Sequence, residues 1–115
     1  MSATRYTDFA LGKGNKAATA AAGAATLDNH SGAITTEALT TAAAGLYTLT
    51  LTNPKIKATD LVFVNVANGT NSAGAPTLQT ATPAAGSLVV NIGNRHAANA
   101  LNGTLLVHFM ILRRE

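Results

Sequence analysis

Apolar and polar positions alternate along several short stretches of the chain, which is the period of β-strands and not of helices. Tyr47, Leu49 and Leu51 alternate with threonines, so this stretch has one apolar face and one hydroxyl-bearing face. Asn53 and Pro54 follow, and both residue types favour turns. The segment therefore predicts a half-buried strand that ends at Asn53.

Four further stretches predict strands. Residues 60–67 are β-branched and apolar on both faces, which is typical of a central strand. Residues 77–82 predict a weaker strand that Pro83 ends, because proline cannot donate a ladder hydrogen bond. Residues 87–92 predict a stronger strand, and residues 104–112 predict the last one. Clusters of Asn, Gly, Ser and Thr separate these segments and indicate turns.

The alanine-rich segments are harder to interpret. Residues 17–27 contain the best helix former, yet they lack an apolar stripe at helical spacing and Gly23 interrupts them. We interpret them as an extended segment. The turn-like residues 28–32 then predict a hairpin over residues 24–39. A helical turn is expected only within residues 94–101.

The pattern as a whole predicts an all-β protein. About six or seven short strands with short connections are typical of a β-sandwich, and the connections leave little room for crossover helices. We therefore expect a mainly antiparallel, jelly-roll-like sandwich. Residues 17–115 form the single domain in this interpretation, and residues 1–16 form an extended N-terminal arm.

Charge and composition exclude several partners. Only 11% of the 115 residues are charged, against about 25% in ordinary domains. The net charge of +3 comes from scattered basic residues without interleaved aromatics, so we expect no nucleic-acid partner. No apolar run reaches the roughly 18 residues of a membrane helix, and residues 1–9 contain no apolar leader. We expect neither a membrane partner nor a secretion signal.

The sequence offers little to catalysis. There is no cysteine, and the three histidines have no partner at helical ligand spacing. The five carboxylates are dispersed, so they predict no acid-base pair. Residues 12–17 fit the dinucleotide fingerprint formally but follow a polar segment and not a buried strand. The prediction is a chain that is not an enzyme, with no catalytic, metal-binding or cofactor-binding residues and no cofactor.

Thr48, Thr50 and Thr52 form one hydroxyl row along the predicted strand. An ice-binding or crystalline surface would need this row to be repeated on neighbouring strands at a fixed period. The sequence shows the row once, and solvent-facing strands are commonly rich in threonine. We interpret the row as an ordinary exposed face.

The last predicted strand is apolar on both faces. One face consists of Leu105, Val107, Phe109 and Ile111, and the other consists of Leu106, His108, Met110 and Leu112. A small sandwich normally exposes one face of each strand to water, so the arm or a neighbouring subunit must cover the second face. The predicted protein-interface residues are Leu106, His108 and Met110 on this strand, and Arg5, Tyr6 and Phe9 in the arm.

Several short phrases carry a family resemblance. They are Gly-Ala-Ile-Thr-Thr-Glu-Ala-Leu-Thr-Thr-Ala-Ala-Ala-Gly at 32–45, Tyr-Thr-Leu-Thr-Leu-Thr-Asn at 47–53, and the segments 66–76 and 96–104. Together, over roughly residues 24–112, the chain resembles the capsid decoration, or cement, proteins of tailed bacteriophages. The resemblance implies a β-sandwich or jelly-roll fold, oligomers at symmetry axes of the shell, and no catalytic residues.

The resemblance also implies a function. A decoration protein lies on the capsid surface of the virion, binds the major capsid protein and holds neighbouring capsomers together. We accordingly expect a homo-oligomer, a trimer or a dimer. The alternative is another virion role, in a tail, fibre or baseplate-associated module that binds a host surface glycan.

Overall fold

Eight strands account for the regular structure of residues 16–112, the part of the chain that the computed structural model describes. In chain order they are β1 (Ala17–Thr19), β2 (Ala24–Thr26), β3 (Ser31–Thr35), β4 (Leu46–Thr52), β5 (Leu61–Asn68), β6 (Pro76–Ala84), β7 (Ser87–Asn94) and β8 (Leu105–Leu112). The all-β prediction is confirmed, as is the extended interpretation of the alanine-rich segment. The helical turn expected within residues 94–101 is not formed.

The strands form two sheets of four. Sheet A has the order β1-β3-β8-β5, and sheet B has the order β2-β4-β7-β6. Strand β1 runs parallel to β3 and β2 runs parallel to β4, whereas the other pairs are antiparallel. Both sheets are therefore mixed. This arrangement is consistent with a sandwich, while the jelly-roll-like topology and the mainly antiparallel character stay predictions.

The core lies between the two sheets. Alternate residues of β4 and β8 point into it, so the predicted inner positions Tyr47, Leu49 and Leu51 are buried, as is one face of the last strand. The edge strands β1 and β2 contact each other, and so do β5 and β6. The buried apolar side chains of β3, β4, β7 and β8 are Ile34, Tyr47, Leu49, Leu51, Leu88, Val90, Ile92, Leu105, Val107, Phe109 and Ile111.

The hairpin predicted over residues 24–39 is wrong. Strand β2 belongs to sheet B and β3 to sheet A, so the turn-like residues between them cross the sandwich. Backbone hydrogen bonds hold this crossing at both sheets, from Leu27 N to Thr52 O and from Ile111 N to His30 O. The residues between β2 and β3 do redirect the chain, but the two strands that they connect do not pair with each other. Strand β2 pairs with β4, and β3 pairs with β1 and β8.

Two strand assignments also need correction. Strand β5 is an edge strand of sheet A and not a central one. Two of its outward side chains, Leu61 and Phe63, are large and apolar, yet they are 45% and 49% exposed. Pro83 does not end β6, which continues to Ala84. Proline is tolerated there because β6 is itself an edge strand.

Asn94 at the end of β7 joins three loops. Its side-chain Oδ1 accepts hydrogen bonds from Ala75 N and His96 N, at 3.0 and 3.1 Å. Its Nδ2 donates to Thr41 O and Asn99 O, at 3.1 and 2.9 Å. The residue is 1% exposed, so one amide satisfies buried backbone groups of three connections.

The loops that follow β5 and precede β8 interlock. Thr70 N donates to Thr104 Oγ1 and Thr104 N donates to Thr70 Oγ1, both at 2.9 Å. Asn102 N donates to Asn71 Oδ1 at 2.7 Å. A Cβ on Gly69 would lie 2.4 Å from Thr104 Oγ1, so glycine permits the close approach of the two loops. The polar clusters that were predicted to follow β5 and to precede β8 thus lie in loops, and hydrogen bonds join these two loops to each other.

Replacing Asn94 by alanine is expected to lower the free energy of unfolding by about 3 kcal/mol, because four hydrogen bonds are lost and buried backbone groups stay unsatisfied. Urea denaturation of both proteins measures the difference. Asn99→Ala is the matched control: its side chain is exposed, so a change below about 0.5 kcal/mol is expected. Equal effects of the two substitutions would contradict the role given to Asn94.

Candidate functional site

Charge is confined to the loops of the described chain. Within residues 16–112, the eight strands contain no Lys, Arg, Asp or Glu. Five charged residues lie at the sandwich end where β3 and β5 begin, and two lie at the opposite end. The first group comprises Lys16, Asp28, Lys55, Lys57 and Asp60, and the second comprises Glu37 and Arg95. The outer faces of both sheets are therefore uncharged.

The outer face of sheet A, called here the apolar face, is rich in large apolar side chains. Strand register places Leu61 beside Leu112, and Phe63 beside Met110. Leu61, Phe63 and Leu112 are 45%, 49% and 47% exposed. The face consists of Leu61, Phe63, Asn65 and Ala67 of β5, Leu106, His108, Met110 and Leu112 of β8, and Ser31, Ala33 and Thr35 of β3.

The apolar face is uneven in height. Large side chains on its β5 side form a ridge of Leu61, Phe63 and Leu112. Beside Phe63 lies a depression of about 210 Å³, which Asn65, His108 and Met110 also line. On its β3 side only small residues are present, and a groove of about 520 Å³ lies there. The lining of the groove includes Lys16, Ala17, Ser31, Gly32, Ala33, His108 and Met110. The surface thus offers both a projection and a depression to a partner.

The outer face of sheet B, called here the hydroxyl face, is also uncharged, but it carries threonine and asparagine side chains. Thr48 Oγ1 donates to Asn91 Oδ1, and Asn91 Nδ2 donates to Thr80 Oγ1, each at 2.8 Å. Thr50 and Thr82 lie on either side of Val89 in the next row. Threonines therefore recur on neighbouring strands, but β7 interrupts them with other residues, so the row has no fixed period across the sheet.

Glu37 and Tyr47 are two ionisable side chains joined by a hydrogen bond. Tyr47 donates its hydroxyl to Glu37 Oε1, and Gly23 N donates to Glu37 Oε2, both at 2.9 Å. Burial raises the pKa of the Tyr47 phenol well above its usual range, and the hydrogen bond to Glu37 and the negative charge of that carboxylate raise it further. The pair joins the β1–β2 turn to β4, which is a structural task.

The His96 side chain also serves the fold. His96 Nδ1 accepts hydrogen bonds from Ala98 N and Asn99 N, at 3.0 and 2.9 Å. Lys55 Nζ lies 3.9 Å from Asp28 Oδ1, and both side chains are half-exposed. In residues 16–112 no three His, Cys, Asp or Glu side chains are grouped to hold a metal ion. The same part of the chain contains no helix that is long and apolar enough to cross a membrane.

The structure brings together three of the predicted interface residues. Leu106, His108 and Met110 lie on the apolar face, on the central strand β8, where Leu106 and Met110 are half-buried and His108 is exposed. Arg5, Tyr6 and Phe9, like the arm to which they were assigned, lie outside the described residues. Their role as an interface stays a prediction.

Sequence reasoning missed the ridge of this surface. Leu61 and Phe63 belong to the two-sided apolar pattern of β5, which predicted a central strand. The same pattern fits an edge strand whose outer face is covered by another chain. The two-sided apolar pattern of β5, interpreted in this second way, could have located the ridge.

Comparison with known proteins found no matching family model, no matching curated protein and no matching solved structure. The functional argument therefore depends on the chemistry of the two outer faces.

Tyr47→Phe is expected to flatten the loss of stability at alkaline pH. The unfolded phenol ionises near pH 10, whereas the raised pKa keeps the folded phenol protonated, so above about pH 10 the unfolded state binds fewer protons than the folded state. The free energy of unfolding of the unsubstituted chain should then fall by up to about 1.4 kcal/mol per pH unit from this group.

The measurement is urea denaturation of both proteins between about pH 8 and pH 11, where the tyrosine ionises. Lysines and Tyr6 are common to the two proteins, so the difference between the curves isolates Tyr47. Parallel curves across this range would contradict the assignment.

Proposed function

We propose that this chain is a noncatalytic structural protein of a tailed-bacteriophage virion, namely a capsid decoration or cement protein. It binds the major capsid protein at the capsid surface, acts as a homo-oligomer and stabilises the shell. The observation that carries the proposal is the apolar face, an exposed surface of large apolar side chains without charge. The resemblance of residues 24–112 to decoration proteins supports the same conclusion.

The energetics of the surface suit this function. Apolar area removed from water contributes about 25 cal/mol per Å², before the entropy of association is subtracted. A single small apolar contact is therefore weak, but repetition over a shell gives high total affinity. A subunit held by its neighbours is also stabilised by mass action, which offsets a core drawn from few large residues.

The finer fold assignment belongs to this proposal. A jelly-roll-like, mainly antiparallel sandwich is supported by eight strands in two sheets and by the antiparallel pairing of β3, β5 and β8 and of β4, β6 and β7. The chain also passes from one sheet to the other at every connection except the β6–β7 hairpin. Apart from β6 and β7, strands that follow each other in the sequence therefore lie in different sheets.

Undecorated heads of the virus that encodes the chain should bind it to saturation and sediment with it. Phe63→Asp is expected to weaken this binding at least about tenfold, because it places a charge on the ridge of the apolar face. Thr50→Asp is the matched control, since it places the same charge on the hydroxyl face, and it should bind as the unsubstituted chain does. Absence of co-sedimentation at micromolar protein would overturn the proposed function.

A tail, fibre or baseplate-associated module that binds a host glycan is the second candidate, and the hydroxyl face favours it. Threonine hydroxyls and the Asn91 amide can exchange hydrogen bonds with a neutral sugar. Among the described residues, however, this face carries no aromatic ring on which a sugar could stack, because Tyr47 points into the core. The decoration role is therefore preferred.

A glycan array separates the two candidates. The isolated chain is expected to show no glycan signal, because a decoration protein recognises protein. A saturable signal that Thr50→Asp removes and Phe63→Asp leaves intact would establish the glycan-binding role and overturn the preferred one.

A further inference from the structure

We propose that Asn102 is a site of spontaneous covalent modification, at which the backbone nitrogen of Gly103 attacks the side-chain amide and converts it into an acid. The chemistry requires water and no other reactant. The same dipeptide occurs at Asn68 and Gly69, where the fold protects it. The inference does not depend on the proposed function.

The two dipeptides have almost the same neighbours in the sequence. Threonine follows both of them, while Ala67 precedes one and Leu101 precedes the other. Glycine in the second place leaves the attacking nitrogen unhindered, because glycine has no side chain. Local sequence therefore predicts nearly equal reactivity, and a large difference between the two sites comes from the folded structure.

Hydrogen bonding of the glycine N–H distinguishes the two sites. Gly69 N donates to Thr104 O at 2.9 Å, within the interlocked loops. Gly103 N donates to no acceptor in residues 16–112, although Gly103 O accepts from Leu39 N at 2.9 Å. The amide nitrogen must lose its proton in order to attack, and a hydrogen-bonded N–H must first break its bond. Gly69 has this cost and Gly103 does not.

The carbonyl group of the Asn102 side chain is polarised for attack. Its Oδ1 accepts a hydrogen bond from Ser72 N at 2.7 Å, which stabilises the negative charge that develops on Oδ1. The Asn102 side chain is also exposed to water. Asn68 Oδ1 is polarised in the same way, by Asn71 Nδ2 at 2.9 Å. The glycine nitrogen, and not the carbonyl group, therefore decides between the two sites.

Packing keeps the reactive dipeptide in place. Gly103 is buried, and a Cβ at this position would lie 2.6 Å from Thr70 Oγ1 and 2.7 Å from Asn71 N. A residue with a side chain does not fit there, so the glycine that makes Asn102 reactive is required by the fold. The same burial limits the access of hydroxide to the nitrogen. Conversion is therefore expected to be slower in the folded chain than in the unfolded one.

The covalent steps balance with water alone. Gly103 N loses its proton and forms a bond to Asn102 Cγ, and the bond between Cγ and Nδ2 breaks. Nδ2 leaves as ammonia with the proton that Gly103 N lost, and a cyclic imide remains. Water then adds to one of the two imide carbonyl carbons and breaks its bond to Gly103 N. Opening at Cγ gives aspartate, and opening at the main-chain carbonyl carbon gives isoaspartate.

Either product changes the contact between the two loops. The hydrogen bond from Asn102 Nδ2 to Ser72 Oγ, at 3.1 Å, is lost with the ammonia, and a negative charge takes its place. Isoaspartate also lengthens the backbone by one carbon atom. This lengthening separates Asn102 N from Asn71 Oδ1, or Thr104 N from Thr70 Oγ1, which are now 2.7 and 2.9 Å apart. Modification is therefore expected to loosen the interlocked loops.

Peptide mass mapping of the full chain during incubation in mildly alkaline buffer tests the inference, because conversion of an amide into an acid changes the mass of the peptide. In the folded chain Asn102 is expected to convert at least about fivefold faster than Asn68, which corresponds to the contribution of one ordinary hydrogen bond. In concentrated urea the two sites should convert at the same rate, and both should convert faster than in the folded chain. Asn102→Gln is the control: it retains the amide but would need a larger ring, so position 102 should stay unmodified.

Three results would overturn the inference. The first is conversion of Asn68 in the folded chain as fast as that of Asn102. The second is a preference for Asn102 that persists in urea, because it would come from the preceding residue and not from the fold. The third is conversion of both sites in urea and of neither in the folded chain.

The effect on the loops is measured on the modified chain, which its added negative charge separates from the unmodified chain by ion exchange. The isoaspartyl form should unfold at a lower urea concentration than Asn102→Asp, which has the same charge and an ordinary backbone. Equal unfolding of these two proteins would contradict the loosening of the loops by the altered backbone. None of these results depends on whether the chain binds capsids.

Discussion

Strand β8 has two apolar faces, and the second sheet covers only one of them. Leu105, Val107 and Phe109 point into the core and bind the two sheets together. Leu106 and Met110 alternate with them and point outward. Because β8 lies between β3 and β5, its outer face cannot be shielded by an adjacent loop at the sheet edge. The interior and the exposed surface of sheet A are therefore built from alternate residues of one strand.

The uncharged strands have a second consequence, which concerns the loops. Most soluble domains place charge on the outer faces of their sheets, but the described strands of this chain carry hydroxyl and amide groups on sheet B and mainly apolar groups on sheet A. Asparagine side chains also hold the loops at one end of the sandwich: Asn94 hydrogen-bonds four backbone groups and Asn71 hydrogen-bonds two. Neutral polar groups satisfy a buried backbone without the desolvation penalty of a charge. The faces of the described sheets are thereby left free of charge, while the charged residues lie in the loops at the two ends.

Some of this architecture could be predicted from local pattern. Strand β4 was predicted nearly to its ends because its alternation and its Asn53-Pro54 stop are both local properties. The partner of β2 was not predictable in the same way, since a turn signal gives the change of direction but not the sheet to which the next strand belongs. Strand β5 was placed at the centre because two apolar faces usually mean two covering layers. On sheet A no residue of the described chain forms an outer layer. The two-sided apolar pattern therefore indicates that the outer face of β5 is suited to being covered, and it does not show where β5 lies in the sheet.

The outer residues of β8 show where sequence reasoning about function ends. Alternation alone identified Leu106, His108 and Met110 as an outward face, and their placement on the sheet agrees. Alternation could not show that Phe63 and Leu61 form a ridge beside them, or that Ser31 and Gly32 leave a groove on the other side, because both depend on the register of three strands that are distant in sequence. The placing of large and small side chains on this face is therefore a property of the strand order in sheet A and not of any one segment of the sequence.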